Sequence, residues 1–310
     1  MALSSNMFKK IYFEIEKDLY LDQKASIQEN HVFITGMARS GTSIMLNAIY
    51  ESNQFASFTY QEMPFILAPN LWSTINKSNY RMEKSERAHG DGIWIDNNSP
   101  EAFEEIFWNT FGDSDQNNFD DFNDLISLIC LRQNKQRYLS KNNQNIKRID
   151  KLINYYPNSR IVIPFRDPIQ HCYSLLNQHK RFLEIQKMQK FVKNYMFWIG
   201  HREFGIDYLP SGTKNAKFSD HQNLNHWLEQ WLINYNLLKR YKNNSNVKFC
   251  SYENLCNQPE EWSSLLSFLG IPKMIEYQFK ESKKKITTAH DNELLTQCNK
   301  LYTFLIKSTF

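Results

Sequence analysis

His31-Val-Phe-Ile-Thr-Gly-Met-Ala-Arg-Ser-Gly-Thr-Ser43 is the stretch that decides the fold: an apolar run breaks into a loop of small residues, and a helical pattern follows from Ile44 to Tyr50. The order predicts strand, loop, helix. Gly36 and Gly41 permit backbone angles closed to other residues, so successive amide N–H groups can turn toward one anion while the following helix adds its positive end. A phosphate-like group is the expected guest. The spacing Gly36-x-x-x-x-Gly41 matches the Walker pattern, but Thr42 stands where that pattern places the lysine that reaches the β and γ phosphates. The loop's fixed cation is instead Arg39, whose fork binds a tetrahedral oxyanion in a defined orientation. The competing reading is a purely structural turn, since any βα turn can contain Gly and Ser.

A chain of 310 residues can bury a sizeable core, and we expect a single domain over 1–310. Lysine and arginine exceed the acids by 37 − 33 = 4. That mild excess suits a small anionic ligand, and no basic run is long enough to argue for nucleic acid. The five cysteines, Cys130, Cys172, Cys250, Cys256 and Cys298, form neither a Cys-x-x-Cys pair nor a metal-ligand spacing, so they read as buried thiols of a reducing compartment. Residues 1–29 contain no apolar core long enough for a signal peptide or an anchor. A cytoplasmic protein without a membrane span is expected.

Along the chain, residues 8–28 predict a helix, and Phe55 to Tyr60 an extended segment that leads to Glu62. Residues 68–92 read as a polar surface excursion. Ser99-Pro-Glu-Ala signals a helix through Thr110, and Asp113 to Asp121 reads as a solvated turn that lacks the glycine and glutamate of a calcium loop. Phe122, Leu125, Ile126, Ile129 and Cys130 mark a core-facing helix. Arg137 to Lys141 is a short strand presenting Lys141 at its end, and residues 146–156 form a helix. Arg160 to Phe165 is an apolar strand of the kind buried in parallel sheets, ending in Arg166 with Asp167 as helix cap and Pro168 as first helical residue. In open parallel sheets ligands bind at the carboxyl ends of the strands, which puts Lys141 and Arg166 on the rim of the loop. Two aromatic, basic helices between 177 and 246 read as a cap, Val247 to Ser251 as a further strand, and Asp291 to Ile306 as a last helix. Lys283, Lys284 and Lys285 form a basic cluster.

With these pieces in order, the chain resembles the sulfotransferases that use 3′-phosphoadenosine 5′-phosphosulfate (PAPS). Gly36 to Ser43 looks like their 5′-phosphosulfate loop, in the Arg-Ser-Gly-Thr form of the tyrosylprotein branch and many bacterial members. Ile163-Pro-Phe-Arg-Asp-Pro, continued to Ser174, looks like their 3′-phosphate motif. Lys141 matches the lysine at the transferred sulfonate, and Ser251-Tyr-Glu-Asn-Leu255 resembles their Tyr-Glu-x-Leu strand end. The resemblance implies a P-loop-type three-layer α/β/α fold with a central parallel sheet and a helical acceptor-side insertion at about 177–246.

It also implies roles. Gly36, Ala38, Arg39, Ser40, Gly41, Thr42 and Ser43 would hold the 5′-phosphate, and Arg166, Ser174 and Tyr252 the nucleotide's 3′ side. Arg39 and Lys141 would neutralise charge at the sulfonate and the leaving oxygen. Where the small-molecule branch carries its histidine base, two positions after the lysine, this chain has Asn143. Glu62, 62 − 39 = 23 residues after Arg39, is the candidate general base, a role favoured by burial that raises its pKa. PAPS is the implied co-substrate and PAP the product, with no metal. A small molecule, glycan, lipid or peptide hydroxyl or amine is the acceptor class, and oligomeric state stays open. Two rivals are a P-loop kinase, for which Asp167 is the sole candidate Mg²⁺ ligand, and a non-catalytic anion-binding module, which would need neither Lys141 nor Glu62.

Overall fold

The computed structural model describes residues 2–23, 27–76, 83–87, 90, 92–210, 217–272, 275–281 and 283–307. The fold is α/β with parallel sheet strands flanked by helices, as the alternation of apolar runs and helical stripes predicts. Two compact units divide the chain: residues 1–34, 43–160 and 198–200 form one, and 35–42, 161–197 and 201–310 the other.

In the first unit, α1 (Asn6–Tyr20) precedes β1 (Val32–Ile34), α2 (Thr42–Tyr50) follows the loop, and β2 (Phe55–Ala56), α3 (Pro69–Ile75), β3 (Ser85–Glu86) and β4 (Trp94–Ile95) come next. α4 (Glu105–Phe111), α5 (Gln116–Gln133), β5 (Arg137–Lys141) and α6 (Ile149–Tyr155) complete it. β5 runs parallel to β2 and to β1, and its pairing sets Lys141 level with Ile34, the last residue before the loop. Register therefore delivers Lys141 to the carboxyl end of the strands. β3 and β4 form a separate antiparallel pair.

Three local expectations change. The first helix ends at Tyr20, followed by a short 3₁₀ turn Leu21–Gln23, and residues 24–26 of the expected helix lie outside the described residues. Asp113 to Asp121 is not a solvated turn throughout: Asp115 accepts from Asn117 N and caps α5, whose first turns are the Asn/Asp-rich residues, because Phe119 and Phe122 are buried beneath them. The helix expected from Ser99 starts only at Glu105. Pro100 instead bridges Thr59, and Glu101 N bonds Phe58 O at 2.9 Å, so this stretch runs extended beside residues 58–60.

Within 68–92 the polar pattern conceals an anchor. Glu16, fully buried on α1, accepts from Asn70 N and Leu71 N at 2.8 Å each, a carboxylate capping the first turn of α3 from 54 residues away. Residues 77–82, 88–89 and 91 of that stretch lie outside the described residues. Two further carboxylates support the end of β5, buried Glu104 and half-buried Glu105, the latter in an ion pair with buried Arg148. Glu104 accepts from Trp108 Nε1 at 2.9 Å and Asn145 Nδ2 at 2.7 Å, while Glu105 takes both Arg148 Nη atoms at 2.8 and 3.0 Å. Removing one partner of such a pair strands a buried charge at a cost of about 3–5 kcal/mol.

In the second unit, β6 (Arg160–Phe165) pairs in parallel with β7 (Val247–Ser251). α7 (Pro168–Met188), α8 (Lys190–Trp198) and α9 (Leu224–Leu238) lie between them in sequence, and α10 (Tyr252–Asn257), α11 (Pro259–Phe268) and α12 (Asn292–Ile306) follow. Asp167 caps α7 through Gln170 N at 3.0 Å and Pro168 opens it, as expected from the sequence. α7, α9 and α12 pack together around Trp227, Trp231 and Tyr235, all buried. Cys130, Cys172, Cys250 and Cys298 are buried thiols, and Cys256 is half-buried.

Candidate active site

The loop Thr35–Thr42 belongs to the second unit, and its shape follows from what surrounds it there. Thr35 N bonds Val162 O at 3.0 Å, so the loop starts alongside β6. Gly36 has φ +148°, and a Cβ there would stand 3.3 Å from Pro164 O. Gly41 has φ +103°, and a Cβ there would meet the Tyr252 ring at 2.6 Å. Both glycines are required by conformation and by close approach together. Between them Arg39 adopts φ +68°, an uncommon left-handed position for a residue with a side chain.

Three side chains hold that loop. Phe165 pairs with Ser251 in the β6–β7 register, so the next residues, Arg166 and Tyr252, emerge at one level, and the Arg166 guanidinium lies 5.2 Å from the Tyr252 ring centre. Arg166 Nη1 donates to Arg39 O at 3.3 Å, and Arg39 Nε donates to Ser174 Oγ at 3.3 Å. His171, one turn before Ser174 on α7, is hydrogen-bonded to Ala38 O at 2.8 Å. A carbonyl only accepts, so the neutral ring carries its proton on Nε2.

The second unit thus gathers Gly36, Ala38, Arg39, Ser40, Gly41, Thr42, Arg166, Ser174 and Tyr252. Arg166 Nε is buried without a hydrogen-bond partner among the described residues, its nearest carboxylate, Glu253 Oε1, being 3.9 Å away. An unpartnered guanidinium N–H, two glycine-permitted turns and a second arginine have the donor chemistry that an oxyanion would satisfy. Lys284 adds to this edge: its backbone N and O exchange 3.0 Å bonds with the Gln170 side chain, tying 283–285 to the first turn of α7. Asp167, the one candidate Mg²⁺ ligand of the kinase reading, is committed to capping α7.

Burial drives the His171 pKa down to about 3, the Ala38 bond opposing and the charges of Arg166 and Arg39 adding to the fall. In the unfolded chain the ring titrates near 6.5, so between those values the unfolded state binds more protons and stability rises with pH. This contribution is complete above about pH 6.5 and is lost as pH falls toward 3. Urea melts between pH 7.5 and 5 should show a decline in stability that His171→Gln makes shallower; an unchanged slope in that variant would contradict the assignment.

Glu62, Lys141 and Ser43 lie in the first unit. Glu62 is 3% exposed, and so is no surface carboxylate. It closes the 3₁₀ turn Tyr60–Glu62 as a capping box: Oε2 accepts from Thr59 N and Thr59 Oγ1 at 2.7 Å each. Burial pushes its carboxyl up, the Thr59 bonds and Arg132 pulling the other way. Lys141, 7% exposed, is likewise no solvated lysine.

Glu101 is a residue the sequence does not single out, because Ser99-Pro-Glu reads as a helix start. Its Oε2 accepts from Tyr60 Oη at 2.8 Å and lies 3.6 Å from Arg87 Nη1, which also donates to Ser43 Oγ at 3.3 Å. Burial raises its pKa, but Arg87, Lys141 and the hydrogen bonds outweigh it and hold the carboxyl below its ordinary range. Lys141 therefore sits in the field of a carboxylate that also faces Arg87, the donor to Ser43 at the end of the loop motif. The Glu-x-x-Glu-Glu run 101–105 is the only sequence signal, and it says nothing of burial.

The fold is α/β, with a strand–loop–helix turn that closes on two arginines and has Thr42 where the Walker pattern places its lysine. The chain belongs to the sulfotransferase family, whose sequence model matches residues 31–203. Among solved structures it is similar to sulfotransferase STF1 from Mycobacterium tuberculosis H37Rv, with TM-score 0.53 and 10% identity over 96% of this chain and 78% of that one. It is also matched by STF9 from Mycobacterium avium (TM-score 0.47, 10% identity, 97% and 75% covered). A sulfotransferase from Alicyclobacillus acidocaldarius gives TM-score 0.44 and 15% identity over 91% and 93%. No curated protein matches the sequence. At these identities the first structure speaks for the fold, and the family model for the class of enzyme.

Proposed function

We propose that this sulfotransferase takes its sulfonate from PAPS and passes it to a hydroxyl or amine of the acceptor by in-line displacement. The observation that carries the reading is the loop residue Arg39 with Arg166 bonded to its carbonyl from the end of β6, Ser174 bonded to the first and an unpartnered N–H on the second. Loop amides from Gly36 to Ser43 hold the 5′-phosphate. Arg166, Ser174 and the 283–285 strap hold the 3′-phosphate, and Tyr252 packs at the nucleotide side. Bound there, PAPS supplies the activated sulfonate. Glu62 takes the acceptor's proton as its oxygen or nitrogen bonds to sulfur, and Arg39 with Lys141 offsets the charge left on the departing phosphate oxygen. The segment 177–246 forms the acceptor side, for a small molecule, glycan, lipid head group or peptide.

PAP in EDTA tests the donor. At a hundred times its dissociation constant a ligand adds about 2.7 kcal/mol, a rise of roughly 4 °C in a chain of this size. No shift with PAP, and a shift with Mg²⁺-ATP, would instead support the kinase reading.

A further inference from the structure

Sixteen consecutive residues, 187–202, contain Lys187, Lys190, Lys193 and Arg202 and no acid, which equals the whole chain's excess of 37 − 33 = 4. The same stretch exposes Met188 at 84%, Phe191 at 70% and Phe197 at 51%. On α8 buried Met196 marks the inner side. At about 100° per residue Phe197, Lys190 and Phe191 lie roughly 100°, 120° and 140° from it and are exposed, while Lys193, about 60° away, is half-buried at the edge of that arc. Arg202 extends that surface by lying 5.3 Å over the Phe197 ring, and Leu209, 56% exposed, donates its N–H to Arg202 O at 2.9 Å. Ile206, also exposed, is fixed beside the end of α7 through Gln186 Oε1 at 2.6 Å.

We propose that this face docks on an anionic lipid bilayer. A cluster of exposed apolar side chains marks an interaction surface, and a protein partner or a bilayer can cover it. Over 187–209 these side chains are interleaved with four cations against two acids, Glu203 and Asp207, an excess that favours a surface both apolar and negative, which a membrane interface with anionic head groups is. Long lysine stems reach the head groups while Phe191, Phe197 and Met188 enter the acyl boundary. No helix of the described residues is long and apolar enough to cross a membrane, so the binding is peripheral and reversible. α7 carries Ser174 near one end and Met188 at the other, 14 residues or about 21 Å apart, so the docked face leaves the cradle clear. The inference rests on this surface alone and stands whether or not PAPS is the donor.

Co-sedimentation with vesicles of phosphatidylcholine, alone or with about 30% phosphatidylserine, tests it. Binding should require phosphatidylserine and weaken as ionic strength rises. Phe191→Asp should reduce it at least tenfold, and Lys187→Glu, Lys190→Glu, Lys193→Glu combined should abolish it, each leaving the melting temperature and the PAP response unchanged. No sedimentation with the anionic vesicles, or undiminished binding by both variants, would overturn the proposal. So would a stable dimer in the absence of lipid that Phe191→Asp dissolves, since a second copy would then be the natural cover.

Discussion

Gly41→Ala should eliminate the rise in melting temperature that PAP produces. Two independent effects converge on that position. At φ +103° a side chain costs of order 1–3 kcal/mol in backbone strain alone. In addition the new Cβ would stand 2.6 Å from Tyr252 Cδ2, a ring pinned by its own hydroxyl, which donates to Lys280 O at 3.1 Å, and by the Arg166 guanidinium at its face. The ring cannot yield without releasing Arg166, and Arg166 anchors the loop through Arg39 O. Both sides of the proposed phosphate cradle should therefore fail together. Adding Tyr252→Ala to Gly41→Ala relieves the clash but not the strain, so PAP binding should return only in part. A Gly41→Ala protein that keeps its full PAP response would show that the loop is not the binding element.

Glu62→Gln should lower turnover by about a hundredfold or more while leaving PAP affinity unaltered, the effect expected when a general base is removed. The substitution is informative because of the capping box. Glutamine serves the N3 position of such a box nearly as well as glutamate, so the turn 60–62 persists and stability should change by no more than about 1 kcal/mol. Glu62→Ala would remove both roles at once. Glu101→Gln provides the contrast: it discharges the carboxylate beside Arg87 and Lys141 but touches neither Glu62 nor Thr59. If Glu62→Gln turns over at the wild-type rate, Glu62 is a structural cap and nothing more.

Much of the fold is legible in the sequence because its signals are local. Arg160 to Phe165 and Val247 to Ser251 are short apolar runs with β-branched and aromatic residues, Asp167-Pro168 is a helix start by capping chemistry, and both strands and the cap stand where the pattern puts them. Gly36 and Gly41 announce a turn, and the left-handed Arg39 between them is the strain such a turn carries. What fails to show is set by partners far away in sequence. Asp115 reads as loop until Phe119 and Phe122 find a core to fill, and the chain after Ser99 stays extended because Pro100 and Glu101 pair with residues 58 and 59. Glu16 on one helix caps another 54 residues on, which no window of sequence contains. Glu62 and Glu101 illustrate the same limit at the site. Neither acid carries a local signal of burial, and only the structure shows the first locked to Thr59 and the second shared between Tyr60 and Arg87.

The proposed function requires that Arg39 and Arg166 together bind a nucleotide bearing a 3′-phosphate. Comparing PAP with AMP, which differs only in lacking that phosphate, tests it most directly, by titration in EDTA with the melting temperature as a second readout. AMP forgoes the charge-assisted hydrogen bonds that Arg166 and Ser174 would give the 3′-phosphate, and two such bonds correspond to about a hundredfold in affinity. PAP should therefore bind at least that much more tightly than AMP, and without metal. Equal affinity for the two nucleotides, or binding of PAP only in the presence of Mg²⁺, would contradict the account.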